Sequence, residues 1–169
     1  MPPSISFLKA TQSESIKEHY VNAHIVQDYL LPLSKLKESM DVSHQLYEIY
    51  PIWLCPHAVY KTEPQGAIRA PTDKKEVEMY ADVGIWFTPK PWARGEFFDG
   101  HQATKDFEKW LRDNRGYQAT YAVSEQTREE FWQMFDGTLY KSCRKKYEAE
   151  NVFVDVFDKV HGKRKTIKN

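Results

Sequence analysis

The sequence predicts an α+β domain with the ferredoxin-like split βαβ arrangement, in which helices cover one face of an antiparallel sheet and a helical extension follows at the C-terminus. Three observations support this fold class. The chain has 169 residues, which is enough for one domain with a sizeable core and too few for two. One segment places apolar residues at every second position, and others repeat them at helical spacing. The segments follow in the order strand, helix, strand, strand, helix, strand.

The first predicted strand and helix come before residue 48. The mostly apolar run 24–31 ends at Pro32, which stops a strand. Residues 35–47 repeat apolar side chains at helical spacing, with charged residues on the outer side. Ser34 stands directly before this helix, and we expect it to cap the N-terminus.

The second and third strands are predicted on either side of a long loop. The run 49–55 is aromatic and branched, as is typical of a strand, but Pro51 and Pro56 each lack the N–H that a central strand needs. We therefore expect this strand at an edge of the sheet. After the polar loop 61–75, residues 79–87 show the period-two pattern of a strand with one fully apolar face.

The second half of the fold repeats the order of helix and strand. A helix that begins near Ala103 is expected to stop at Gly116. Residues 117–124 are predicted as the last strand. Thr127 and Glu130 have the spacing of a capping box, which predicts the start of a final helix.

The sheet is predicted to leave one face uncovered by the two main helices. Right-handed connections place the second and fourth strands at the edges and both helices on the same face. The opposite face then carries Tyr80, Asp82 and Trp86 together. A carboxylate beside aromatic rings can have a raised pKa and act as an acid, or it can be hydrogen-bonded to a loop. The aromatic rings meet either a partner or the final helix.

The chain divides into four predicted regions. They are a leading segment (1–23), a sheet domain (24–124), C-terminal helices (125–158) and a basic tail (159–169). The cations of the tail are Lys159, Lys163, Arg164, Lys165 and Lys168. Such a tail suits a contact with calmodulin or with a membrane, or it is a solvated terminus.

Composition excludes several classes of function. The 24 Lys and Arg residues balance the 24 Asp and Glu residues, so no overall field favours nucleic acid as a partner. No apolar run approaches the roughly 20 residues that span a bilayer, and the first residues lack the charged and apolar parts of a signal peptide. We therefore expect the chain alone to be soluble and cytosolic.

The chain carries no recognisable metal or phosphate motif. Cys55 and Cys143 match no zinc spacing, and the six histidines show no H-x-x-x-H pattern. Cys55 is predicted to be a buried thiol near a strand end rather than a nucleophile paired with His57. The seven glycines never lie two positions apart, so a glycine-rich phosphate cradle is absent from the sequence.

Several uncommon strings, in the right order over nearly the whole chain, resemble the delta-24 sterol reductases, which are flavoproteins of the Diminuto or seladin type. These strings are SFLKATQ (6–12), VQD (26–28), YPIWLCP (50–56), MYADVG (79–84) and FWQMFDG (131–137). Three further features resemble the plant form more than the animal form, and they are His57, RGE (94–96) and GKRKT (162–166).

The resemblance implies an oxidoreductase of sterol biosynthesis that reduces a side-chain double bond, with FAD as carrier and NADPH as electron donor. Its relatives are the vanillyl-alcohol-oxidase-like flavoproteins, in which an N-terminal domain binds FAD and a C-terminal domain covers the isoalloxazine ring with an antiparallel sheet. The chain resembles the second part only, so FAD is expected to be bound mainly by a flavin-binding domain that this chain lacks. The full-length family is associated with the endoplasmic reticulum membrane.

The resemblance also implies site residues on the open face. Protonating the less substituted carbon of an isolated alkene gives tertiary cation character, which requires a proton donor and an aromatic wall. Tyr121 and Asp82 are the candidate catalytic proton donors. The expected substrate-binding residues are Tyr80, Trp86, Trp53, Gln27 and Asp28. No residue is assigned to cofactor binding, and no metal is expected.

Two kinds of function therefore stay open. The chain is either the substrate-binding cap of a reductase or a stand-alone ferredoxin-like binding module without redox activity. As a cap it is a fragment, a split product, a truncated gene model or a divergent protein, and it is expected to be inactive alone. A flavin domain encoded in an adjacent reading frame would favour the cap.

Overall fold

A four-stranded antiparallel sheet forms the centre of the protein. The computed structural model describes residues 11–72 and 75–161. The strands are β1 (Ile25–Pro32), β2 (Trp53–Tyr60), β3 (Val77–Phe87) and β4 (Tyr117–Gln118). They lie in the order β2-β3-β1-β4, so the second and fourth strands are the edges. The order confirms the predicted α+β fold of the ferredoxin-like type.

The helices both connect the strands and extend the chain beyond the sheet. They are α1 (Glu14–Ala23), α2 (Leu36–Tyr47), α3 (Lys90–Ala93), α4 (Gly100–Asp113), α5 (Arg128–Met134), α6 (Thr138–Lys146) and α7 (Val156–Val160). Two short 3-10 turns are Leu33–Lys35 and Ala149–Asn151. The capping box of Thr127 and Glu130 is present at the start of α5, as predicted.

The main core lies between the sheet and the two connecting helices, α2 and α4. Alternate residues of β1 share one face, and on this face Tyr29 stacks on Phe107 of α4 with 4.1 Å between ring centroids. Its hydroxyl lies 3.0 Å from the hydroxyl of Tyr47 on α2, so both buried phenols have a hydrogen-bond partner. Aromatic packing with satisfied hydroxyls thus fixes both helices on the same face.

Several predicted boundaries are wrong. The second strand runs from Trp53 to Tyr60 rather than over 49–55, and Pro56 therefore lies within it. Ser34 lies in a 3-10 turn, and the residue that precedes α2 is Lys35, which makes no side-chain capping bond. The predicted final helix is divided into α5, α6 and α7.

The end of α4 also differs from the prediction. The helix ends at Asp113, and the residue in the left-handed conformation is Arg115, with a φ of 62°. Gly116 is required for space instead, because a Cβ there would lie 2.5 Å from the Leu111 side chain. The helix therefore ends close to the predicted position, but Arg115 rather than Gly116 adopts the left-handed conformation.

The predicted last strand, 117–124, contains only two strand residues, Tyr117 and Gln118. Beyond these two residues, hydrogen bonds from side chains take the place of regular backbone pairing with β1. Gln27 and Gln118 both donate to the Val123 carbonyl, at 2.9 and 3.0 Å. Ala122 N–H donates to the Ala119 carbonyl and closes a turn. Tyr121 therefore lies in this turn rather than in the middle of a strand.

Charged and backbone contacts hold the C-terminal helices to one another and to the sheet domain. Arg128 of α5 donates to Asp155 at 3.0 Å and to Asp158 at 2.5 Å, which joins α5 to α7. Arg112 of α4 donates to Glu130 of α5 at 3.1 Å. Ser124 and His161 form an isolated parallel bridge. Of the predicted basic tail, only the part up to residue 161 is described, and the cations of 163–168 lie outside the described residues, as do residues 6–10 of the first matching string. In the described part, no helix is long and apolar enough to cross a membrane.

Candidate functional site

The open face of the sheet, away from α2 and α4, is the candidate site. The strand register determines its composition, because Val26 lies opposite Trp86, Asp28 opposite Gly84 and Leu30 opposite Asp82. From β2 this face receives Trp53, Cys55 and His57. The structure therefore brings Tyr80, Asp82 and Trp86 onto one face, in agreement with the alternation in the sequence.

Tyr121 and Asp28 form the central contact of the site. The Tyr121 hydroxyl donates a hydrogen bond to Asp28 Oδ2. The Asp28 side chain is buried, with the residue 1% exposed, whereas Tyr121 is 69% exposed. The turn at 119–122 thus holds an accessible phenol against a carboxylate that is shielded from water.

Asp28 and Asp82 are neighbouring carboxylates on β1 and β3. Burial and the nearby charge of Asp82 raise the pKa of Asp28 to about 6, and the adjacent Trp86 indole partly offsets this rise. Burial also raises the pKa of Asp82. One oxygen of each, Asp28 Oδ1 and Asp82 Oδ1, is buried without a hydrogen-bond partner.

Gly84 provides the space in which the Asp28 carboxylate lies. A Cβ at this position would lie 2.9 Å from Asp28 Oδ1 and 2.9 Å from Cζ2 of Trp86. Both distances are shorter than a normal contact, so a side chain would displace the carboxylate or the indole.

An aromatic wall borders the carboxylates. The Trp53 and Trp86 rings meet edge to face with 4.7 Å between centroids, and Trp53 is 55% exposed. Such rings can stabilise a nearby cation, an effect of about 2 kcal/mol when the cation is desolvated.

Three of the predicted substrate-binding residues, Tyr80, Gln27 and Asp28, are not accessible on the open face. Tyr80 projects to this face but is only 1% exposed, and its hydroxyl donates to the Arg115 carbonyl at 3.1 Å. Gln27 lies on the opposite, helix-covered face, where it accepts a hydrogen bond from Gln118 and donates to the Val123 carbonyl. Tyr117 packs beside Tyr80, with 6.0 Å between ring centroids, and contributes to its burial.

A pocket of about 420 Å³ lies beside the turn that carries Tyr121, and the sequence analysis missed it. Its volume is within the usual range for a small-molecule site. The lining residues are mostly apolar, and they are Leu30, Ala67, Ile68, Tyr117, Gln118, Ala119, Thr120, Tyr121, Phe131, Trp132, Phe135, Tyr140 and Val156. Three of them, Phe131, Trp132 and Phe135, belong to the string 131–137 that resembles the sterol reductases. This string is the part of the sequence that could have indicated the pocket.

The cysteine and histidine of β2 have separate surroundings. Cys55 is exposed, so the prediction of a buried thiol is wrong, because the first residues of β2 have no layer above them. His57 Nε2 lies 3.0 Å from the Tyr117 hydroxyl, and burial lowers the pKa of the imidazole. Within residues 11–72 and 75–161, no group of three His, Cys, Asp or Glu side chains is placed to hold a metal ion.

Comparison with known proteins identifies related sequences. The chain is 44% identical to the Delta(24)-sterol reductase of Arabidopsis thaliana and 42% identical to that of Pisum sativum, in each case over 177 aligned positions that cover 99% of the chain. It is 37% identical to the Delta(24)-sterol reductase of Rattus norvegicus over 95% of the chain. This chain is homologous to a part of the Delta(24)-sterol reductases. No protein-family profile and no solved structure matches it.

The chain spans about a third of the length of these Delta(24)-sterol reductases, 32% of the Arabidopsis protein and 30% of the rat protein. The match is consistent with the C-terminal part of that family. Identity is higher with the two plant proteins than with the rat protein, in agreement with the plant-like features of the sequence.

Proposed function

We propose that the chain is the substrate-facing part of a Delta(24)-sterol reductase, which reduces a side-chain double bond of a sterol with FAD and NADPH. The observation that carries this proposal is the Tyr121 hydroxyl, which stands at the lining of an apolar pocket and is hydrogen-bonded to Asp28. The activity for which the homologous proteins are named supports the same assignment. The flavin-binding partner domain and the endoplasmic reticulum location that the resemblance implies belong to this proposal.

The chemistry of an isolated alkene explains why these residue types are needed. The double bond has no carbonyl to polarise it, so its reduction begins most readily with protonation of the less substituted carbon. Tyr121 provides the proton, because a phenol stays protonated at neutral pH. The apolar pocket excludes water from the sterol side chain, and the Trp53–Trp86 wall tolerates the developing positive charge.

The residues of the open face fit a flavin ring but not a whole FAD molecule. Val26, Trp53 and Trp86 present a partly exposed apolar surface against which an isoalloxazine ring could pack. The sequence offers no glycine-rich cradle for the pyrophosphate. The chemistry that FAD supplies when bound is hydride transfer.

A chimeric enzyme tests the proposal. This chain replaces the corresponding third of the Arabidopsis Delta(24)-sterol reductase, and reduction of a Δ24 sterol and of the flavin by NADPH are measured separately. We expect Tyr121→Phe to lower sterol turnover about a hundredfold or more while flavin reduction is retained.

The matched control is Tyr147→Phe, which changes an exposed tyrosine outside the pocket lining and should leave turnover unchanged. Normal sterol turnover in the Tyr121→Phe chimera would remove this residue from the role. An equal loss of flavin reduction would show that the substitution had damaged the structure instead.

A further inference from the structure

We propose that Asp28 and Asp82 form a carboxyl pair that holds one proton, and that Asp28 passes this proton to Tyr121 as Tyr121 protonates the sterol. This inference rests on the proposed function and adds a source for the proton. Asp28 is then a positioning and proton-supplying residue behind Tyr121, and its burial together with the charge of Asp82 favours its protonated form.

The sheet register brings the three groups together. Asp28 lies opposite Gly84, and Asp82 lies two residues before Gly84 on the same strand and face. The two carboxylates are therefore diagonal neighbours, a relation in which Cβ atoms are about 7–8 Å apart or somewhat less. Tyr121 contacts the Asp28 carboxylate from the opposite side of the site, through its hydrogen bond to Oδ2.

Unpartnered oxygens indicate that the second ionisation of the pair is unfavourable. Asp28 Oδ1 and Asp82 Oδ1 are both buried without a hydrogen-bond partner, and in the described ranges neither carboxylate forms an ion pair. Two negative charges in such surroundings repel each other and have lost their hydration, so the last proton is lost at a higher pH than from a solvated aspartate. The raised pKa of Asp28, about 6, means that the pair holds this proton below about pH 6 and loses it progressively above that pH.

The other titratable groups on this face do not supply a compensating cation. From β2, Cys55 lies opposite Asp82, and His57 follows two residues later with a pKa lowered by burial, so its imidazole is neutral near pH 7. From β3 and β4, Tyr80 and Tyr117 have pKa values raised by burial and remain neutral phenols. Glu78, at the far end of β3, is paired with Arg115.

The proposed transfer balances. With Asp28 protonated, its Oδ2–H donates to the Tyr121 oxygen, which leaves the Tyr121 O–H free to point at the alkene. The O–H bond of Tyr121 then breaks as a C–H bond forms at the less substituted alkene carbon, and the O–H bond of Asp28 breaks as the O–H bond of Tyr121 is remade. A reduced flavin, the reductant of the proposed function, would supply the hydride that completes the reduction when it is bound. A proton from solvent restores the protonated Asp28. A tyrosinate beside a carboxylate, which would be strongly disfavoured, never accumulates.

Carboxyl NMR on the chain itself tests the pair without any assay of turnover. The protein is labelled with ¹³C at the aspartate carboxyl groups and titrated from acid to alkaline pH. We expect Asp28 to titrate with a midpoint near pH 6, and Asp82→Asn to lower that midpoint by about one pH unit or more. The matched control, Asp41→Asn, changes an exposed aspartate on α2 and should leave the midpoint unchanged.

A reciprocal variant covers the case in which Asp82→Asn does not fold. In Asp28→Asn, Asp82 should keep a midpoint raised by burial but lose the second, smaller step of its titration curve, which in the parent reports the ionisation of Asp28. An Asp28 midpoint near 4 that Asp82→Asn does not move would overturn the pair.

The pH profile of the chimera tests the relay separately from the pair. Turnover should decline as Asp28 loses its proton, and Asp82→Asn should shift that decline to lower pH by the amount seen in the NMR midpoint. A shifted midpoint with an unshifted profile would refute the relay but keep Tyr121 as the donor. Loss of turnover in Tyr121→Phe together with an unmoved NMR midpoint would support the proposed function and refute the pair.

Discussion

Gly84 shows how a single residue sets the geometry of the site. Its missing side chain leaves the space that the Asp28 carboxylate and the Trp86 indole occupy. The requirement is one of space rather than of backbone conformation, because Gly84 lies in a regular strand paired on both sides. A substitution at Gly84 is therefore expected to displace the Asp28 carboxylate while the strand pairing is kept.

We predict that Gly84→Ala lowers the free energy of unfolding by about 1–3 kcal/mol and separates Tyr121 from Asp28. The new Cβ would lie 2.9 Å from both Asp28 Oδ1 and Trp86 Cζ2, so one of them has to move. Urea denaturation measures the first effect, and the carboxyl signal of Asp28 reports the second.

The comparison variant is Gly66→Ala, in which the nearest atom to the new Cβ is Thr62 Oγ1 at an ordinary 3.7 Å. This variant should keep the stability of the parent. If the carboxyl NMR signal of Asp28 were the same in Gly84→Ala as in the parent protein, the absence of a side chain at Gly84 would not be what positions the Asp28 carboxylate.

The residues of the open face could be predicted only in part. Period-two alternation predicted that Tyr80, Asp82 and Trp86 share a face, because the strand geometry alone determines it. The contact between Tyr121 and Asp28 could not be predicted in this way. It joins residues 93 positions apart through a turn whose path depends on side chains from other elements.

At the scale of elements, Glu108 of α4 accounts for the shortness of β4. This carboxylate is fully buried and accepts from Ser124 Oγ at 2.9 Å and from Glu125 N–H at 3.1 Å. The hydroxyl of Ser124 and the N–H of Glu125 therefore donate hydrogen bonds to a residue of α4 rather than to the neighbouring strand. Residue patterns along 117–124 predicted a strand because they carry no information about a partner on α4.

We predict that Glu108→Leu lowers the free energy of unfolding by about 2 kcal/mol or more, because it leaves the buried Ser124 hydroxyl and the part-buried Glu125 N–H without this acceptor. Glu108→Gln keeps an acceptor oxygen and should be much less destabilising. Both effects are measured by urea denaturation at a fixed pH. Equal stabilities for the two variants would show that these hydrogen bonds are not what holds the segment.

The same residue should give the parent protein a distinct pH dependence. Burial raises the pKa of Glu108 from 4.5 to about 7, so the folded state binds this proton more tightly than the unfolded state does. Its contribution to stability is therefore greatest below pH 4.5 and is lost as the pH rises through 7. Glu108→Gln should remove this part of the decline, and an unchanged pH profile would contradict the assignment.

At the scale of the whole molecule, the fold class and strand order were predictable because they follow from element order and connection rules. The pocket beside Tyr121 was not predictable, since it forms where the loop at 67–68 meets α5, α6 and α7. Its walls come from segments far apart in the sequence, and only their assembly in space defines it.

We predict that the purified chain binds no FAD and has no reductase activity by itself. It offers a surface for the flavin ring but no cradle for the phosphates, and it corresponds to about a third of its relatives. Gel filtration with excess FAD, followed by the visible absorbance of the protein peak, provides the measurement, and the chimera provides the comparison. A yellow protein peak that releases flavin on denaturation would contradict this expectation.

The edge strand β2 has a consequence for the behaviour of the chain at high concentration. Its first residues are exposed on both faces, with Trp53 and Leu54 pointing to opposite sides, and its outer edge faces no other strand of the sheet. Such an edge can pair with the same strand of a second molecule and extend into an intermolecular sheet. Pro56 interrupts that extension, because a proline in an edge strand directs a nitrogen without hydrogen towards solvent. One imino acid thus limits the growth of aggregates from the least covered part of the sheet.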